Sequence, residues 1–178
     1  MTQGRALLVI DLQTTMFDGV ECPPIHNAEV LIANTKAIIA WARKTGIPTA
    51  FIQHEEDSGA MQRGAPGWHV LAALGQDTDR EPTFSKSVPD AFSNAKLAEW
   101  LGENKQLVLV GAQSDCCVEA TTLGALERSY DVTVVADAHS TWLWEEGKAV
   151  DATPLIQCKN ESFAAAGAKL VSTADLIA

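Results

Sequence analysis

No apolar run in this sequence approaches the ~20 residues that cross a bilayer; the longest, such as 6–10 and 107–110, are far shorter. The first residues also lack the charged and apolar pattern of a secretory signal. These two absences lead us to expect a cytoplasmic protein with no membrane partner. Basic side chains are scarce: 13 Lys and Arg stand against 23 Asp and Glu, a formal charge of −10. With no Lys or Arg cluster to neutralise phosphates, nucleic acid is excluded as a partner as well. Cys22, Cys116, Cys117 and Cys158 have neither the spacing of a zinc site nor the density of a secreted disulfide framework. Repeats, low-complexity segments and breaks in composition are all missing, so the 178 residues, 47% of them apolar, are expected to fold as one domain, 1–178.

What is present alternates between strand and helix. Residues 6–10 form a continuous apolar run, as expected for a strand covered on both faces. Over 28–44, apolar residues such as Leu31, Ile38 and Trp41 recur near the helical period, with Asn27 as a candidate cap and Gly46 beyond the end. Residues 47–54 return to extended character. The polar, glycine-rich stretch 55–80 reads as a surface excursion with a weak helical segment at 68–74. A short strand at 83–86, a helix at 91–101, a strand at 107–110, a helix at 117–129 and a strand at 132–135 follow. Residues 160–166 are expected to be helical and 169–171 extended. This alternation implies an α/β protein, a three-layer α/β/α sandwich around a mostly parallel, six-stranded, Rossmann-like sheet.

In such folds the chemistry gathers beyond the carboxyl ends of the strands. Asp11, the turn 111–117, Asp137 and Lys86 all stand at expected strand ends, so Asp11, Lys86 and Cys117 can converge despite their separation in sequence. Cys117 falls at a helix start, where the dipole and unpaired N–H groups favour a thiolate. A Lys86 ammonium nearby would favour it further, and Asp11 can take the thiol proton and later activate water. Adjacent Cys116 lacks the separation of a Cys-x-x-Cys redox pair.

The stretch Gly111-Ala112-Gln113-Ser114-Asp115-Cys116-Cys117-Val118, together with Leu8-Val9-Ile10-Asp11-Leu12-Gln13 and Val135-Ala136-Asp137-Ala138-His139-Ser140, resembles the isochorismatase-like cysteine hydrolase superfamily. Phe84-Ser85-Lys86 followed by Ala91-Phe92 and Leu97 resembles that family's lysine segment. The resemblance implies a catalytic triad of Asp11, Lys86 and Cys117. It also implies a non-proline cis peptide between Ala112 and Gln113, aiming the backbone N–H groups of Gln113 and Cys117 at one oxyanion. The activity it implies is hydrolysis of a small-molecule amide or related C–N bond through a thioester, by a homo-oligomer, dimer or tetramer. Alternatives are ether hydrolysis of the isochorismatase type, which need not use a cysteine, and a catalytically silent assembly or binding protein on the same scaffold.

Gln13, Phe17, His54, Glu55, Trp68, His139 and Trp142 are candidates for the substrate pocket, with His69 and Trp144 nearby in sequence. Nicotinamidases resemble the same scaffold but carry an Asp, His and His metal set after the second strand. Here His54, Glu55, Glu56, Asp57 and His69 do not reproduce its Asp-x-His spacing, so neither a metal nor another cofactor is expected.

Overall fold

The computed structural model describes residues 4–178. Strands β1 (Arg5–Ile10), β2 (Thr49–His54), β3 (Thr83–Lys86), β4 (Gln106–Ala112), β5 (Asp131–Ser140) and β8 (Lys169–Val171) form one six-stranded sheet in the order β3-β2-β1-β4-β5-β8, every pairing parallel. Along β1, successive side chains alternate between faces. Ala6, Leu8 and Ile10 pack with residues of α2 (Ala95–Leu101), α3 (Cys117–Glu127) and α4 (Thr153–Ala166), including Leu97, Val118 and Phe163. Leu7 and Val9 pack with Leu31, Ile38 and Ala42 of α1 (Ala28–Thr45) and with Leu176 of α5 (Thr173–Ile177). Because both faces are covered, the strands read as unbroken apolar runs, and the three expected layers follow.

Strand order reverses between β1 and β4, which lie side by side in register with Ile10 opposite Gly111. That switch point opens a crevice outside the carboxyl ends of the two strands. Gly111, at φ 135°, is required there: a Cβ would strike the backbone of Ile10, whose nitrogen would lie 2.7 Å away.

Several expected elements differ in extent. The helix expected over 91–101 is broken: Ala91–Ser93 makes a 3-10 turn, Asn94 is extended, and its side chain caps α2 by accepting from Lys96 N at 3.1 Å. Asn27 does not cap α1 through its side chain, whereas Gly46 closes that helix in a left-handed conformation. The weak helical segment at 68–74 is instead two 3-10 turns, Pro66–Trp68 and Ala72–Leu74, separated by Val70, which bridges to Gln13. Strand β5 runs on past residue 135 to Ser140 after a register shift against β4, and α4 begins at Thr153, well before residue 160. The antiparallel pair β6 (Leu143–Glu145) and β7 (Lys148–Val150) and the helix α5 have no counterpart in the sequence reading. No helix among the described residues is long and apolar enough to cross a membrane.

Candidate active site

Parallel register brings the strand ends together. His54 and Lys86 are direct partners at the ends of β2 and β3, and Asp11 N donates to Ile52 O at 3.0 Å where β1 leaves the sheet. Asp11 turns there through a left-handed conformation, φ 49°, which aspartate tolerates better than most residues. Lys86 Nζ then lies 2.7 Å from Asp11 Oδ2, 3.3 Å from Cys117 Sγ and 3.2 Å from His54 Nδ1. An ammonium has three N–H donors, and each meets one acceptor. Asp11 is fully buried, Lys86 is 4% exposed and Cys117 8%.

Removing charges from water is costly, so Asp11 and Lys86 depend on each other here. Their pairing leaves Asp11 Oδ1 buried with no hydrogen-bond partner among the described residues. Oxygen of Asp11, nitrogen of His54 and sulfur of Cys117 lie within 4.8 Å of one another, a spacing compatible with metal ligation. The Lys86 ammonium, however, contacts the same three residues and supplies the positive charge that a metal would bring. With Lys86 so placed, the donor set does not fit a cation.

Cys117 is the first residue of α3, as the sequence suggests. Its ionisation differs from the expected thiolate: burial and the negative charge of Asp11 push the thiol well above its ordinary range, and Lys86 offsets only part of this. Burial and the Asp11 charge therefore favour the thiol at rest, with an Asp11 oxygen within 4.8 Å of its sulfur. Burial, with the charge of Lys86, lowers the pKa of His54, so its ring is neutral at pH 7.

The Ala112–Gln113 peptide is cis. Around the nucleophile, Cys116 N and Val118 N both donate to Gln113 O, at 3.1 and 3.0 Å, and Ser114 N donates to Ser140 O at 2.9 Å. Gln113 N and Cys117 N make no hydrogen bond among the described residues, which leaves both available to an oxyanion.

The residues expected to line a pocket separate into groups. Trp142 lines a cavity of about 200 Å³ beside Gln113, with Met16, Glu56 and Met61, and its Nε1 donates to Pro23 O. His54 faces Lys86, while Glu55 pairs with Arg63 at 2.9 Å. Trp68 stacks edge-on against exposed His69, and Phe17 packs partly on the core. Gln13 is fully buried and bonds the backbone of His54 in both directions and Trp68 O. His139, 4% exposed, also has both ring nitrogens occupied. Asn160 Oδ1 can only accept, so His139 Nε2 donates to it at 2.9 Å, and Nδ1 accepts from Ser114 Oγ at 2.8 Å. Asp137 stands apart from the site and caps α5 through Thr173 N.

Sequence reasoning missed Ser114, Thr141 and Asn160, which brace the nucleophile turn; Thr141 Oγ1 donates to Asp115 Oδ1 at 2.6 Å. Only the true length of β5 and α4 reveals them, and no local pattern announces it.

The family model described as isochorismatase domain matches residues 5–174. A streptothricin hydrolase of Streptomyces noursei is 31% identical over 141 residues, covering 78% of this chain and 50% of that protein. The chain thus spans about half the length of this curated relative. The secreted isochorismatase effector Isc1 of Verticillium dahliae is 27% identical, covering 98% of this chain and 91% of its own. A crystal structure from Oleispira antarctica, assigned as an isochorismatase hydrolase, superposes with a TM-score of 0.87 at 26% identity, covering 99% of this chain and 98% of the other.

Proposed function

Because this chain belongs to the isochorismatase family, we propose that it is a cysteine-dependent hydrolase of a small-molecule amide or related C–N bond. The observation that carries the reading is the buried Lys86 ammonium, shared by the Asp11 carboxylate and the Cys117 sulfur. The streptothricin hydrolases among its relatives support hydrolysis over other chemistry.

In this reading Cys117 Sγ attacks the carbonyl carbon as its proton passes to the unpaired oxygen of Asp11. The carbonyl oxygen becomes an anion held by Gln113 N–H and Cys117 N–H. As the tetrahedral species collapses, the C–N bond breaks and Asp11 returns the proton to the leaving nitrogen, which departs as an amine. Water then attacks the thioester, Asp11 takes its proton, and the C–S bond breaks to release a carboxylic acid and restore the thiol. Lys86 remains protonated and offsets the negative charge on sulfur and carboxylate. No metal or other cofactor enters any step. The reading includes a homo-oligomeric form, which light scattering would establish.

The test is turnover of a panel of amides, ureas, lactams and carbamoyl compounds by wild-type and Cys117→Ala protein. We expect the variant to lose at least ~10³-fold in kcat, and undiminished turnover by it would overturn the reading. The near-complete burial of Cys117 and Lys86 favours, as a second reading, a silent binding protein. Failure of iodoacetamide to modify Cys117 in the folded protein would select that one.

A further inference from the structure

From sequence His54 is a candidate for the substrate pocket, and the proposed reaction gives it no step. Its geometry is more specific. Lys86 Nζ can only donate, so the 3.2 Å contact makes His54 Nδ1 the acceptor and puts the ring proton on Nε2. That Nε2 points toward Glu56 Oε1, 3.9 Å away. Gln13 fixes the strand end beneath the ring, accepting from His54 N and donating to His54 O, each at 2.9 Å. The ring is therefore held at one height against the end of β3.

We propose that His54 is the positioning residue that keeps the Lys86 ammonium within reach of both base and nucleophile, by accepting its third N–H. The inference rests on the hydrolase reading and names the regulation of lysine geometry within that site. Without this acceptor, one ammonium proton is left unpaired in a buried corner, and the closer attraction to Asp11 at 2.7 Å competes with the longer contact to sulfur at 3.3 Å. Lys86 then tilts toward Asp11 and gives up part of its hold on the developing thiolate. The charged and titratable groups facing His54 are Asp11 after β1, Lys86 on β3, Cys117 at the start of α3, and Glu55 and Glu56 on its own strand's exit. Burial and Lys86 keep the ring neutral at pH 7, the state in which Nδ1 has a lone pair to offer.

Two measurements on substrate-free protein test this. In ¹⁵N NMR of the wild-type imidazoles at about pH 7.5, His54 should appear as the neutral Nε2–H tautomer; a neutral Nδ1–H tautomer or an imidazolium would overturn the proposal. In the second, the rate of Cys117 alkylation by iodoacetamide is followed by mass spectrometry in His54→Leu, which fills the space without an acceptor, and His54→Asn, which restores an acceptor near the Nδ1 position. We expect a drop of about tenfold in His54→Leu, with His54→Asn recovering to within about threefold of wild type. Equal, measurable rates in all three proteins would overturn the proposal and leave the hydrolase reading standing, since that reading is decided by turnover in Cys117→Ala and by whether Cys117 is modified at all.

Discussion

At the scale of single residues, the site is an exchange of obligations. Asp11 is tolerated in the interior because Lys86 faces it, and Lys86 because its three donors are met. Lys86→Met removes the cation and leaves the carboxylate buried and unpaired. We expect a loss of about 3–5 kcal/mol in unfolding free energy, read by urea denaturation at pH 7, together with loss of turnover. An unchanged urea midpoint would mean that the ion pair contributes nothing to holding the crevice closed. Asp11, Lys86 and Cys117 were legible in the sequence because each ends or begins an element, and strand ends in this architecture face one crevice. The ionisation of Cys117 was not legible: a helix start and a lysine argue for thiolate, while burial and the Asp11 charge outweigh them, and burial is a property of the folded chain.

At the scale of elements, the nucleophile turn is held from outside as well as by its own backbone bonds to Gln113 O. The end of β5 supplies Ser140 O, Thr141 Oγ1 and the His139 ring, and α4 supplies Asn160 behind that ring. The close approach of β1 and β4 depends on Gly111. Gly111→Ala forces a side chain into the Ile10 backbone at a φ that L-residues avoid, so we expect a cost of about 3 kcal/mol or more, measured from the denaturant midpoint. A variant as stable as wild type would show that the two strands can part without penalty. Continuous apolar runs made β1, β4 and the core of β5 readable, and the helical period did the same for α1. The hairpin of β6 and β7 gave no such signal: its turn residues Glu146 and Gly147 both take positive φ, as a two-residue turn of the type I′ class requires, but Glu in the first position is an unusual choice for it. The break at Asn94 was hidden for a related reason, since a cap within an apolar-periodic stretch leaves the period intact.

For the whole molecule, acid should loosen the fold through its two interior imidazoles. Burial lowers the pKa of both His54 and His139 in the folded protein, below the value of about 6.5 they take when unfolded. Between those values the unfolded chain binds more protons, so stability is greatest above about pH 6.5 and is lost as pH falls through the folded-state pKa values. Denaturant midpoints measured across that range should decline in wild type and decline less steeply in His54→Asn; a flat profile in both would show that neither ring is kept neutral by the fold. The sheet also has a bearing on how copies of the chain meet. Its outermost strands, β3 and β8, are only 4 and 3 residues long, too brief to template a strand from a neighbour. Short edges of this kind disfavour the edge-to-edge stacking that seeds fibrils, and direct any contact between copies toward helices, loops or the small hairpin.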